Sequence, residues 1–454
     1  MTHGRETCDR MLSVITILLQ EVALKNKFLS AAVVVMLVAT TSFVFAGGSQ
    51  INEHGARAMG MGGAFVALAS DASAIYFNPA GMAYQTGIGV LVGGTMIMPS
   101  TSFTSATPAR PEAKMVSQTF FPPNLYFTYN MDNWTFGLGV FAPYGLGTEW
   151  ETTWDGRYSA VKTDLQAIYI NPSVAYRIDE QWSVGAGVSY ITGSAKLNRH
   201  IRTFSALAPA PIPSATDGEI TLDGDGTGFT FNVGVLYKYS EELSAGLSYR
   251  HGTKIKYEGD AKFTNMQALA SFFPGGTGSV EIPMPANLQG GIAYKVNQDL
   301  TVAADLQYVM WSDYDKLTIA LPNGPTAPAA LGGVPLQTTQ VQVKNWENSF
   351  LYRLGAEYKM DMLTLRAGVI YDGTPQITPS VEPMLPDANR TEFTVGASYM
   401  VSDMITVDAA YQFISSADRT GTFSDYLGTT LLAKYTGNYK STANLIGFNI
   451  GFHF

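Results

Sequence analysis

The sequence predicts an all-β protein: a 14-stranded antiparallel transmembrane β-barrel with a small N-terminal hatch, or plug, inside the lumen. Three observations predict it. Apolar and polar residues alternate with period two in segment after segment, the connections are alternately short and long, and the chain ends in alternating large apolar side chains. Charged residues are only 14% of the 454, and beyond residue 46 no apolar run is long enough for a membrane-crossing helix. A chain of this kind that enters a bilayer must do so as strands.

The first 46 residues read as an address. Lys25 and Lys27 precede the apolar run Phe28–Val38, then small residues and Val44-Phe45-Ala46, which is the order of an export signal peptide cleaved after Ala46. Residues 1–46 are therefore expected to be removed. The only cysteine, Cys8, lies there, so the mature chain has no disulfide and no thiolate, and nothing in it calls for a cofactor or a metal. That mature chain carries 24 basic against 34 acidic residues, a net charge of −10, which argues against nucleic acid as a partner.

Residues 47–87 lack the strand period. They contain Gly60, Gly62 and Gly63, the apolar stretch Ala64–Ala69, Asp71 as a cap, and the turn Asn78-Pro79-Ala80-Gly81. The glycine cluster follows no strand and precedes no Lys-Ser/Thr pair, so it is not a phosphate loop. Fourteen strands leave a hole, and this segment is the one available to fill it. It reads as a compact plug or, more sharply, as a gate with Asn78, Pro79 and Ala80 at its turn.

The barrel is expected over 88–454, with strands near 88–97, 119–130, 133–142, 165–177, 182–197, 228–240, 243–257, 284–295, 300–311, 346–360, 363–371, 390–400, 404–413 and 438–454. In one of them Leu300, Val302, Ala304, Leu306 and Tyr308 share a side, against Thr301, Ala303, Asp305 and Gln307. Short turns such as Met131-Asp132-Asn133 alternate with the long loops 143–164, 198–227, 258–283 and 312–345, which puts turns in the periplasm and loops outside. Aromatic residues such as Tyr176, Trp182, Tyr237 and Tyr399 end the greasy faces, as interfacial girdles do. The expected location is the outer membrane of a Gram-negative bacterium, with lipid and lipopolysaccharide as surroundings. The last strand, ending in Phe454, is the expected handle for the barrel assembly machinery.

Several stretches resemble the FadL/TodX family of outer-membrane transporters for hydrophobic compounds. They are Ala58-Met59-Gly60-Met61-Gly62-Gly63-Ala64, Asp71-Ala72-Ser73-Ala74-Ile75-Tyr76-Phe77-Asn78-Pro79-Ala80-Gly81, Asn171-Pro172-Ser173, Tyr352-Arg353-Leu354-Gly355 and Pro386-Asp387-Ala388-Asn389-Arg390, followed by the aromatic C-terminus. The resemblance runs in order along the whole mature chain. It implies a fourteen-strand barrel with an N-terminal hatch, an external hydrophobic groove, an internal pocket and an opening in the wall, serving passive uptake of long-chain fatty acids or aromatic and aliphatic hydrocarbons. It implies no enzyme activity.

Candidate residues follow from that relay. Loop 258–283 offers Met266, Leu269 and Phe273 at helical spacing, and loop 198–227 offers Phe204 and Leu207. Self-packing of these loops is the competing reading. Gly137, Gly139 and Pro143 mark a kink in the wall. Strand parity turns Arg250, Lys254, Asp305, Arg353, Glu357, Arg366 and Asp408 inward, where Arg353 or Arg366 could meet a ligand carboxylate, or where these charges pair among themselves and with the hatch. Rival functions are a general porin, a structural or adhesive barrel, and a hydrolase, for which His54, His200, His251 and His453 lack a nucleophile context.

Overall fold

The computed structural model describes residues 47–107, 110–201, 217–266, 270–271, 273–321, 339–427 and 430–454. The signal-peptide reading of residues 1–46 and the candidates Phe204, Leu207 and Leu269 lie outside the described residues.

Fourteen strands close into one antiparallel ring. They are β1 (Ile88–Ser105), β2 (Pro123–Met131), β3 (Trp134–Glu149), β4 (Lys162–Arg177), β5 (Trp182–Ile201), β6 (Gly218–Lys238) and β7 (Leu243–Arg250). Then come β8 (Asn287–Lys295), β9 (Leu300–Val309), β10 (Ser349–Met360), β11 (Leu363–Asp372), β12 (Arg390–Ser402), β13 (Ile405–Ser416) and β14 (Thr430–His453). Each pairs with its neighbours in this order, and β14 returns to β1 in unbroken register from Gly89↔His453 to Ser105↔Gly437. Closure leaves no free edge, the condition for strands in lipid.

Burial is inverted relative to a water-soluble fold. Val188, Phe229, Val233, Phe393 and Val395 are exposed on the outside, while Asn171, Ser183, Asn232 and Gln307 are buried inside. β-branched and aromatic residues on the lipid face sustain the pleat, and short polar residues on the lumen face leave room within. Tight turns use left-handed residues, Asp132 at φ 56° and Asp361 at φ 48°.

Several expected loops are strand instead. β5 and β6 run 20 and 21 residues, about twice what a bilayer requires, because hairpin pairing continues above the membrane on polar alternation, as where Lys196 meets Asp223. Much of the expected loop 258–283 is a second hairpin, Thr253–Thr264 with Gly276–Met284, and Met266 and Phe273 lie between its two strands. Met266 is buried beside Gly218, and Phe273 rests on Phe263 with ring centroids 5.1 Å apart. The expected strand 243–257 stops at Arg250 and resumes at Thr253. The interruption resets parity, so Lys254 is exposed while Ile255 and Tyr257 are buried, contrary to its inward assignment.

Residues 47–87 form two short helices, α1 (Ala56–Gly60) and α2 (Ala74–Phe77), followed by a 3-10 turn over Pro79–Tyr84. They are almost wholly buried, and their backbone lies directly on the inner wall. A Cβ on Gly396 of β12 would stand 2.9 Å from the Gly60 Cα, closer than two carbons tolerate. Replacing Gly396 with Val is expected to leave the barrel assembled, as read by heat-modifiable gel migration, but to lift α1 from the wall and cost about 1–3 kcal/mol. Trypsin should then cut after Arg57 in the variant and not in the parent. Equal protection of both would refute the close-contact account.

Candidate functional site

The N-terminal segment is held by hooks on the lumen face. Gly62 and Gly63, at φ 64° and 70°, turn the chain so that the amides of Phe65 and Val66 donate to one carboxylate oxygen of Asp305 on β9, at 2.7 and 2.9 Å. Asn78 is fully buried. Its Nδ2 donates to the carbonyls of Val66 and of Val235 on β6, both at 3.0 Å, and its Oδ1 accepts from the Ala80 amide at 3.2 Å, capping the turn that Pro79 begins. Ser183 of β5 donates to the Ala80 carbonyl at 2.9 Å. A Cβ on Gly234 would overlap the Asn78 amide, so the wall beneath this turn must lack side chains.

Charges complete the seat. Arg57 donates to both carboxylate oxygens of Glu357 at 3.1 and 3.2 Å, and Arg366 to Glu357 at 2.6 Å, with Asp408 4.0 Å from Arg366. Arg353 donates to Asn52 at 2.9 Å and to Gln307 at 2.6 Å, and Arg250 donates to the Tyr76 carbonyl at 3.1 Å. These inward charges thus meet one another or the N-terminal segment.

His54 is packed among aromatics, its ring centroid 3.6 Å from that of Tyr76, with Nε2 donating to the Ile51 carbonyl at 2.8 Å. Burial, with the Arg250 and Arg353 cations adding to it, holds the imidazole neutral with a pKa lowered to about 3. Among the described residues no three His, Cys, Asp or Glu side chains converge as a metal site.

The wall is interrupted at one point along β3. Pairing of β2 with β3 is regular from Met131↔Trp134 to Asn124↔Phe141, so Gly137 and Gly139 lie inside an intact ladder. Their lack of a side chain makes room for the segment instead, since a Cβ on Gly137 would stand 2.7 Å from the Met82 sulfur. The register of β3 against β4 shifts between Phe141 and Tyr144, at Ala142-Pro143. Of the three residues expected to kink the wall, only Pro143 sits at the break, because proline cannot donate to a ladder. The freed groups are taken by the N-terminal segment: Ile51 N–H donates to the Pro143 carbonyl at 2.9 Å and Gly145 N–H to the Ser49 carbonyl at 3.0 Å.

A cavity of about 310 Å³ lies beside this break. Its apolar lining includes Ile97 and Pro99 of β1, Phe120 and Phe121 before β2, and Leu146 of β3. Gly48 to Glu53 of the N-terminal segment contribute as well, except Ser49, and so do Leu385 to Asp387 of the loop between β11 and β12. That loop touches the segment directly: Gly48 N–H donates to Asp387 at 3.1 Å, and Arg390 donates to the Gly48 carbonyl at 3.1 Å and to Asp387 at 2.7 Å. A largely apolar hollow with a few convergent polar groups is the usual form of a small-molecule site. Met266, Phe273, Arg353 and Arg366 do not line it. The residues sequence reasoning missed, Phe120, Leu146 and Glu392 among them, carry no local motif, and only the folded wall brings them together.

Residues 37–454 match the family model described as outer membrane protein transport protein (OMPP1/FadL/TodX). The chain is similar to outer membrane protein P1 of Haemophilus influenzae, 28% identical over 472 residues, covering 92% of this chain and 98% of the relative. It is also similar to a long-chain fatty acid transport protein of Escherichia coli, 26% identical over 462 residues, covering 95% and 99%. In fold it resembles a Pseudomonas aeruginosa FadL homologue, with a TM-score of 0.75 at 21% identity over 90% of this chain and 99% of that one. The Pseudomonas putida toluene transporter TodX gives 0.66 at 20% identity, over 88% and 99%.

The Asp305 hook can be tested alone. In Asp305→Ala two buried amides lose their acceptor, costing about 1–3 kcal/mol. Amide hydrogen exchange of the peptide around Phe65 and Val66 should quicken about tenfold or more, with β9 itself unaffected. Unchanged exchange would mean that the carboxylate does not hold this turn.

Proposed function

The chain belongs to the OMPP1/FadL/TodX family of outer-membrane transport proteins, and on that premise we propose that residues 47–87 are a hatch whose rearrangement admits hydrophobic molecules to the barrel wall. The protein lies in the Gram-negative outer membrane and serves transport, not catalysis. A hydrophobic solute gains about 0.8 kcal/mol for each methylene buried, so it leaves an aqueous channel for any greasy surface within reach. The observation that carries the reading is the cavity beside Ala142-Pro143, bordered by Gln50 and Ile51 of the stretch that completes the interrupted ladder.

In this reading the solute enters from the outside, occupies the cavity, displaces the strand-like rung at 49–51 and departs sideways into the membrane. Asn78, Pro79 and Ala80 keep the remainder of the hatch seated while the rung moves. Long-chain fatty acids, named for the Escherichia coli relative, and toluene, named for TodX, frame the solutes this chain would carry. Lipid and lipopolysaccharide would bathe the exposed apolar faces. The strand ending in Phe454, whose amide donates to the Ile88 carbonyl at 2.9 Å, would be the part the assembly machinery receives.

Cells lacking their own transporter and expressing this chain should take up labelled long-chain fatty acid or toluene severalfold faster than empty-vector cells. Asn78→Ala should reduce that uptake while folded barrel in the outer membrane stays constant. Equal rates with and without the protein would end the transport reading, and a large steady ion conductance in planar bilayers would favour an open porin.

A further inference from the structure

The cavity at the wall break is apolar in body and one-sided in charge. Among the described residues four carboxylates line it, Glu53, Asp164, Asp387 and Glu392, against a single cation, Arg390. That cation is already committed: it lies 2.7 Å from Asp387 and 3.8 Å from Asp372, and it donates to the Gly48 carbonyl. Glu53 and Glu392 are held face to face by one amide nitrogen, the Gln412 Nε2, which donates to them at 2.8 and 2.6 Å. Both are almost fully buried, at 7% and 1% exposure, where water screens little. Burial pushes the Glu53 carboxyl up from its ordinary range, against the lowering effect of its hydrogen bonds and of Arg390.

Resting on the transport reading above, we propose that this cavity sorts solutes by charge, accepting uncharged hydrophobic molecules and rejecting ionised carboxylates. An anionic head group would lose its water, find no free cation in the lining and meet carboxylates instead. An uncharged hydrocarbon suffers none of this and keeps the full gain of burying its surface. Two arginines in the lumen stand against this, Arg250 and Arg353. Among the described residues neither has a carboxylate within ion-pair distance, and Arg250 Nη1 and Arg353 Nε and Nη1 lack hydrogen-bond partners. Arg250 donates to the Tyr76 carbonyl at 3.1 Å and Arg353 to Asn52 at 2.9 Å, and neither is part of the lining.

The test uses the full mature chain in amphipol and equilibrium dialysis at pH 8 with three labelled ten-carbon probes: decanol, decylamine and decanoate. Decanol and decylamine should each bind at least about tenfold more tightly than decanoate. In the Glu53→Gln, Glu392→Gln double variant decanoate should approach decanol to within about twofold. If that variant fails to assemble, the sign of the amine-to-carboxylate ratio in the parent decides alone. Decanoate binding as well as or better than decanol overturns the proposal, and its loss in Arg353→Gln would assign the head group to Arg353. Absence of binding by all three probes would overturn the transport reading itself, and the charge filter with it.

Discussion

The lipid interior offers no water to a backbone amide, and this constraint governs the molecule. Every strand must find partners on both sides, which forces β14 back onto β1 and closes the ring through Phe454 and Ile88. Closure in turn fixes which face of each strand is wet by lipid. With Val188 and Phe229 outside, Ser189 and Thr230 have to face inward, so the lumen is polar and must be filled by groups that satisfy it.

The N-terminal segment does this largely with backbone. Asp305 takes two of its amides, Asn78 bridges it to β6, and wall glycines such as Gly396 let its main chain approach the strands without intervening side chains. The seat combines many separate hydrogen bonds with a buried apolar cluster in which Phe65, Ile75, Tyr76 and Met82 join wall residues such as Tyr126 and Phe141, so no single hook carries the whole segment. The ion pairs of Arg57 and Arg366 with Glu357 add direction to the docking more than net stability, since each charge is also desolvated.

The wall departs from the closure rule at Ala142-Pro143, and there the rule is met from within. Ser49 and Ile51 supply the partners that β3 and β4 do not give each other at this point. The rung and the break are therefore energetically tied: withdrawing the rung leaves Pro143 O and Gly145 N unsatisfied unless something replaces them. The loop carrying Asp387 grips Gly48 a few residues earlier, which connects the outer face of the protein to the same rung.

Period-two alternation was sufficient to place nearly all fourteen strands and the inward Asp305, Arg353 and Glu357, because lipid imposes a side on every residue of a crossing strand. Above the bilayer that imposition ends, and polar pairs such as Lys196 and Asp223 look the same in a hairpin as in a loop, so the extent of β5 and β6 was not legible. Gly137 and Gly139 announced a special position, but a sequence cannot distinguish a bend from a place where another backbone must fit. The break at Pro143, the parity reset at Gly252 and the pairing of Glu53 with Glu392 through Gln412, 359 residues from Glu53, were decided only by closure of the ring. Local period carries information along one strand, whereas what crosses the lumen depends on how the whole circumference is joined.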